Sequence, residues 1–254
     1  DRAADFYRRV IAEPTDPVLA ASARLALGWA ELRRGRPEAA REQWDRFARD
    51  AGHDPRVPAV LLLAAEQAAG AKDEAGARAL LTRVIDRAGD TEPGRTARLN
   101  RAILLLRAGD PAAALRDLDD LAARGSLSPF EARMRFARGV ALLRMGRAND
   151  ARTHLRSALL DGEDAARLGL GVLAFDAKQW DEAAREFASV REASAAPAAS
   201  AAEYGLAAVA FNQGKSDDFR KLAEPLLKDP PDPTIAPGLL AGMVYLAGEE
   251  KKWP

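Results

Sequence analysis

The sequence predicts an all-α solenoid of stacked antiparallel helix hairpins. Three observations predict it. First, alanine supplies about 57 of the 254 residues, with 31 Arg and 7 Lys. Ala, Leu, Arg and Glu are the better helix formers, whereas aromatics make up only 6% and little else favours strands. Second, a small residue recurs along the chain at Ala3, Ala40, Ala75, Ala114, Ala151 and Ala183, with Phe219 as the exception. The mean spacing is about 36 residues, within the range of helical-hairpin repeats. Third, Gly35, Gly70, Gly109, Gly146 and Gly214 fall where a first helix should stop, suiting a left-handed terminal residue. These stops recur too often for a long coiled-coil seam.

The elements follow in order. Residues 1–16 form a partial unit, because Ala3–Ile11 reads as a second helix without its first. Unit 17–54 carries Leu27-Gly28, Gly35, Ala40 and Trp44. Unit 55–92 is a looser copy running from Pro58 through Gly70 to Ala75 and Leu80. Unit 93–128 has Ala102, Ala114 and Leu118, and Asp110-Pro111 is an N-cap followed by a first-turn proline. Unit 129–161 opens on Ser128-Pro129-Phe130-Glu131, a capping-box pattern, and continues with Gly139, Ala151 and Leu155. Unit 162–196 has Leu170-Gly171, Ala183 and Phe187, with Gln179 where the glycine would sit. Unit 197–232 has Leu206 and Phe219, and Ser216-Asp217-Asp218 places an N-cap and two negative charges on a positive helix end. Residues 233–254 form a second partial unit, in which Ile235–Ala247 reads as a first helix whose partner begins near Trp253. Ala193–Ala201, around Pro197, is an inter-repeat turn, and Asp229–Pro233 is a rigid connector. No domain boundary is visible, so residues 1–254 form one solenoid. Both ends read as cuts through an array that continues beyond them.

The run Leu168–Phe187 carries a Leu-Gly pair in the first helix (Leu170-Gly171), an aromatic at the turn (Trp180), the alanine of the second helix (Ala183) and a following aromatic (Phe187). In this, and in its weaker copies, the chain resembles tetratricopeptide repeat proteins over essentially its whole length. It has about six repeats plus partial units at both ends. The Trp usual early in the first helix is replaced by Arg24, Arg98, Arg135 and Arg167. The Arg-over-Lys bias reads as a GC-rich, bacterial-looking gene. The resemblance implies a right-handed superhelix whose first helices line a concave groove where ligands lie.

Several function classes are excluded by what the sequence lacks. With no Cys, disulfides, thiolate metal sites and a Cys nucleophile are out. His53 and His154 are too few for a three-His centre; His53 reads as a solvated turn residue and His154 as a surface residue. Lys+Arg and Asp+Glu balance at 38 each, which argues against nucleic-acid binding. The longest apolar run, Ala59–Ala65, is far short of the roughly 18 residues of a membrane span. Gly169 and Gly171 lie in a helix pattern, not a phosphate loop. Asp119/Asp120 and Asp217/Asp218 are adjacent on helices and point apart, unlike an acid–base pair. The expectation is a non-catalytic chain without metal or cofactor.

Binding residues are sought on the first helices. Apolar side chains recur at i, i+4, i+7: Leu25/Trp29/Leu32, Leu99/Ile103/Leu106, Phe136/Val140/Leu143, Leu168/Val172/Phe175 and Tyr204/Ala208/Phe211. That spacing makes one stripe per helix. Two placements are open: the stripes face the groove and hold a partner peptide or helix, or they pack between neighbouring first helices as core. The groove candidates are Leu25, Trp29, Leu32, Arg33, Leu99, Ile103, Arg107, Phe136, Val140, Arg144, Phe175, Tyr204 and Phe211. Trp29 is the leading anchor, since Trp is enriched at binding hot spots. Arg33, Arg107 and Arg144 occupy equivalent places near first-helix ends. Residues 1–156 hold 28 Lys+Arg against 22 Asp+Glu, and residues 157–254 hold 10 against 16. Two readings are open: a scatter of solvated charges, or a dipolar split that would orient a partner or favour self-association through open ends. The family's clamp for acidic chaperone tails is incomplete: Asn100 and Arg133 fit, but Val60, Ala64 and Ala137 stand at the other places. The expected role is a protein-binding scaffold; the alternative is the repeat portion of a larger enzyme or export assembly. Absent Cys is compatible with export and tilts the compartment toward the periplasm or cell envelope rather than the cytoplasm.

Overall fold

The computed structural model describes residues 2–13, 16–124, 130–193, 198–230 and 236–249. All regular elements among the described residues are helices: α1 Arg2–Ala12, α2 Pro17–Arg33, α3 Pro37–Asp50, α4 Val57–Gly70, α5 Glu74–Ala88, α6 Glu92–Arg107, α7 Pro111–Ala122, α8 Glu131–Arg144, α9 Ala148–Leu160, α10 Ala166–Asp176, α11 Trp180–Ala193, α12 Ala198–Asn212, α13 Ser216–Lys228 and α14 Ala236–Glu249. They fall into two compact units, Asp1–Leu127 and Ser128–Pro254. Within each unit every helix packs on the next in chain order. First helices also touch the first helix of the following pair, α4 on α6 in one unit, α8 on α10 and α10 on α12 in the other.

One spacing rule builds every hairpin. The second helices bury Ala40, Ala77, Ala114, Ala151, Ala183 and Phe219. Twelve residues earlier the first helices bury Gly28, Ala65, Ala102, Gly139, Gly171 and Ala207. Four residues later a second-helix side chain fills the gap: Trp44, Leu81, Leu118, Leu155, Phe187 and Ala223. This corrects the register at two places. Ala75 and Ala3 are exposed, and the buried small residues are Ala77 and Ala4. Neighbouring alanines made the two registers indistinguishable by composition.

The glycines matter by what replaces their Cβ. A Cβ on Gly28 would stand 2.1 Å from the Trp44 ring nitrogen. Leu155 is wedged between Gly139 and Gly169, and Phe187 between Gly171 and Gly205. Real carbon contacts lie near 3.5–4.0 Å, so only glycine lets these helices approach so closely.

The stops behave differently in two units. Gly35, Gly109, Gly146 and Gly214 all have positive φ. Gly70, expected to share this role, closes α4 as an ordinary helical residue, and Lys72 takes the left-handed position at φ 62°. Where Gln179 breaks the glycine pattern, Lys178 takes it at φ 57°. Both lysines leave the helix with backbone N–H groups bonded to preceding carbonyls, which holds them in a region costly for side chains.

Caps follow short polar side chains. Asp16, Asp73 and Asp110 accept from the backbone N–H groups of Val18, Gly76 and Ala113. Ser216 is a correction: the N-cap is Lys215, Ser216 is already helical, and Asp217 and Asp218 occupy the first turn. The Ser128-Pro129 start, Pro197, residues 231–233 and Trp253 lie outside the described residues.

The arginines that stand in for Trp are one recurring device. Arg24 pairs with Asp50 at 2.8 Å, Arg98 with Asp120 at 2.9 Å, Arg135 with Asp161, and Arg167 with Glu186 at 3.1 Å. Each ties a first helix to its own second helix. In the 55–92 pair the equivalent residue is Leu61, fully buried. An Arg stem covers apolar surface while its fork reaches a carboxylate, so it replaces the bulk of Trp and adds a polar lock.

Candidate functional site

On the Asp1–Leu127 unit, Leu25 and Leu32 are half-buried and pack on the core around Trp44 and Phe47. Trp29 is 45% exposed and stands edge-on to Trp44, ring centroids 5.4 Å apart. The Trp44 ring N–H donates to the Leu25 carbonyl at 3.4 Å. Trp29 thus has one edge fixed by a buried neighbour and the rest in solvent. Arg33 and Arg107 are exposed, and Ile103 is half-buried. Leu99 is a correction, since at 1% exposure it is core and presents nothing to a ligand. Its stripe partner Leu106 is buried as well, so on α6 the i, i+4, i+7 pattern marks packing at two of its three places.

On the Ser128–Pro254 unit, Phe136 and Val140 are half-buried on α8 and Arg144 is exposed. Phe175, Tyr204 and Phe211 come together. They line one open cavity of about 750 Å³ with Asn212 and with Tyr245 and Leu246 of α14. Phe211 is the hub: its ring lies 5.3 Å from that of Phe219 and 5.7 Å from that of Tyr245. Phe175 is held edge-on by Trp180 at 5.2 Å. Tyr245 is 58% exposed. Among the described residues, no charged side chain lines the cavity. Asn212 spends an amide N–H on the Ala208 carbonyl at 2.8 Å, which leaves its carbonyl as an acceptor.

Two glycines on α14 set the far wall. A Cβ on Gly238 would come to 3.0 Å from the Tyr204 hydroxyl, and one on Gly242 to 2.6 Å from Phe219. Spaced four residues apart, they share one helix face and let α14 close on α12 and α13. Tyr245 and Leu246 were not anticipated from the sequence. Aligning Gly242 with Gly171 puts Leu246 level with Phe175, with Tyr245 beside it, so the signal was present in the repeat itself.

Among the described residues no group of three or more His, Cys, Asp or Glu is placed to hold a metal ion, and no helix is long and apolar enough to cross a membrane.

A tetratricopeptide repeat-like domain profile matches residues 2–173, and a second tetratricopeptide repeat profile matches residues 168–233. A comparison with curated proteins found no match. Among solved structures, a tetratricopeptide repeat protein from Parabacteroides merdae superposes with a TM-score of 0.70 at 21% identity, over 91% of this chain and 88% of that one. The APC/C hetero-tetramer Cut9-Hcn1 gives 0.69 at 16% identity, over 94% of this chain; the chain spans only 45% of that one. The type IV pilus biogenesis factor PilW gives 0.66 at 16% identity, over 87% of this chain and 98% of that one. At such identities these likenesses concern the fold. The profile matches carry the family, and together with the stacked hairpins they make this chain a member of the tetratricopeptide repeat-like domain family.

Proposed function

We propose that this chain is a non-catalytic scaffold that binds a partner protein through first-helix side chains. The aromatic cavity among α10, α12 and α14 carries this reading. Proteins of this family use the faces of stacked hairpins as extended binding surfaces. Here one such face offers Phe175, Tyr204, Phe211 and Tyr245 with no charged side chain among the described residues that line it. Aromatic side chains supply large contact area with little conformational entropy to lose, and Phe175, Phe211 and Tyr245 are held by ring contacts to Trp180, Phe219 and one another, which keeps the surface largely preformed. The partner segment is therefore an uncharged stretch, a peptide or one face of a helix, presenting apolar side chains to the rings.

The experiment is a peptide-display selection on the full chain, with binding of the recovered peptides measured against Tyr245→Ala and Trp29→Ala. Both side chains are half-exposed, so both variants should fold. Peptides that lose at least tenfold in affinity with Tyr245→Ala support the reading. Recovery of peptides indifferent to both variants, or of none, would refute it. Trp29 is the separate candidate anchor on the other unit, and sensitivity to Trp29→Ala alone would move the binding surface there. The lack of Cys supports an exported, periplasmic or envelope placement, which fractionation of cells expressing the full gene tests directly.

A further inference from the structure

A second cavity lies in the Asp1–Leu127 unit, away from every residue discussed above as a binding candidate. It has a volume of about 430 Å³ and opens between α5 and α7 over α6. Its apolar lining is Ala75, Ala79, Leu105 and Ala113, and its polar lining is Arg78 and Thr82 from α5, Arg101 from α6, and Arg116 and Asp117 from α7. The charges are three guanidinium groups against one carboxylate.

That carboxylate is already spent. Arg101 grips Asp117 with two parallel bonds, 2.8 and 2.6 Å, and gives a third to the Thr82 hydroxyl at 2.9 Å. Thr82 in turn donates to the Arg78 carbonyl at 2.9 Å. Neither Arg78 nor Arg116 has an ion-pair partner among the described residues, whereas Arg24, Arg41, Arg98, Arg101 and Arg167 each pair with a carboxylate of another helix or its cap. The Nε of Arg78 is buried without a hydrogen-bond partner among the described residues, as are those of Arg41 and Arg95. The terminal nitrogens of Arg78 and Arg116 make no ion pair, so both guanidinium heads keep donors for an acceptor entering the cavity.

We propose that this cavity binds the phosphate group of a phosphate monoester, held between Arg78 of α5 and Arg116 of α7. Asp86 and Asp120 also act on Arg101, but neither lines the cavity, where the charge beyond the Arg101–Asp117 pair is the two guanidinium groups of Arg78 and Arg116, matching a dianion. The geometry selects among anions. A carboxylate brings one negative charge and two oxygens, half the charge that two guanidinium groups can match. A tetrahedral phosphate has three free oxygens and can accept from two forks on facing helices at once. The apolar walls, Ala75, Ala79, Leu105 and Ala113, leave room for the carbon side of the ester. The bound group would bridge two successive second helices, so its binding is linked to their packing.

The test uses the full chain at fixed ionic strength, with chloride as the balancing anion. Inorganic phosphate, O-phosphoserine, glycerol phosphate and acetate are titrated, and binding is followed by isothermal calorimetry and by the thermal midpoint. The expected result is saturable binding of phosphate, with at least one of the two esters bound as tightly or tighter. Arg78→Gln and Arg116→Gln should each weaken it at least tenfold. Arg185→Gln, an exposed arginine on α11, should leave it unchanged. Arg116 is exposed, so its variant remains informative even if Arg78→Gln disturbs folding. Acetate binding as tightly as phosphate, exclusion of both esters, equal losses in all three variants, or no saturation by 100 mM, about a hundredfold above a millimolar Kd, would each overturn the proposal. Which ester binds distinguishes a phosphorylated side chain from a free metabolite. None of these outcomes bears on the aromatic cavity, whose test uses different residues.

Discussion

Phe187 is clamped between two glycines, and that clamp makes a prediction with a change of sign. A Cβ on Gly205 would stand 2.7–2.8 Å from Cε2, Cδ2 and Cζ of the Phe187 ring, and one on Gly171 would stand 2.6–3.0 Å from Cε1, Cδ1 and Cζ. The two glycines press opposite edges, so the ring cannot slide from one without striking the other. Overpacking of this kind costs about 1–3 kcal/mol, and the double clamp places it at the upper end, about 3 kcal/mol. Gly→Ala inside a helix gains about 1 kcal/mol in propensity. Gly205→Ala should therefore destabilise by about 2 kcal/mol. Phe187→Ala removes a buried ring and should cost about 3–5 kcal/mol. In the Phe187→Ala background the clash is gone and only the propensity term remains, so Gly205→Ala should then stabilise by about 1 kcal/mol. The coupling is about 3 kcal/mol. Urea unfolding of the four proteins, followed by far-UV circular dichroism, measures it, and hydrogen exchange of α10–α12 amides gives a local reading where a repeat array departs from two-state behaviour. If Gly205→Ala has the same effect in both backgrounds, within about 0.5 kcal/mol, the account of glycine as a spacer for Phe187 is wrong.

Further predictions concern the Arg locks, the stops and acid. Arg98→Ala removes bonds to Asp120 and to the Gly89 carbonyl and should cost about 2 kcal/mol, because Asp120 is half-exposed and solvent screens part of the pairing. Arg98→Leu should cost less, since Leu61 fills the equivalent place in the second hairpin; denaturant midpoints rank the three proteins. Lys178→Gly relieves a side chain held at φ 57° and should raise stability by about 1 kcal/mol, whereas Gly146→Ala, at φ 72°, should lower it by a similar amount. Thermal midpoints should move in opposite directions. The Gly76 backbone N–H and then Arg41 hold the Asp73 carboxyl below the usual carboxylate range; Arg124, then Arg98, do the same for Asp120. Below the unfolded value of about 3.9 the unfolded chain binds more of these protons. Their contribution is thus complete above about pH 5 and is lost as pH falls through the folded values. Asp73→Asn should flatten the fall in stability between pH 5 and 3, and an unchanged slope would contradict the assignment.

The helical class and the hairpin period were legible because both are local. Alanine-rich windows favour helix wherever they occur, and Asp110 before Pro111 caps a helix whatever packs on it. Site residues were less legible. Leu99 and Phe175 sit on stripes of identical spacing, yet Leu99 is core and Phe175 lines a cavity. An i, i+4, i+7 pattern says that a face is apolar; whether water or another helix meets that face depends on its neighbours. The meeting of Arg78 and Arg116 in one cavity was invisible for the same reason, since 38 residues, including all of α6, separate them along the chain.

By itself the amino-acid sequence determined the helices, their approximate ends and their order in hairpins, because propensity, capping and small-residue periodicity act over a few turns of chain. The tertiary structure alone decided which of two adjacent alanines faces the partner helix, that Lys72 rather than Gly70 turns the chain, and that Tyr245 joins Phe211. Those outcomes depend on close packing between segments, where less than an ångström separates contact from clash.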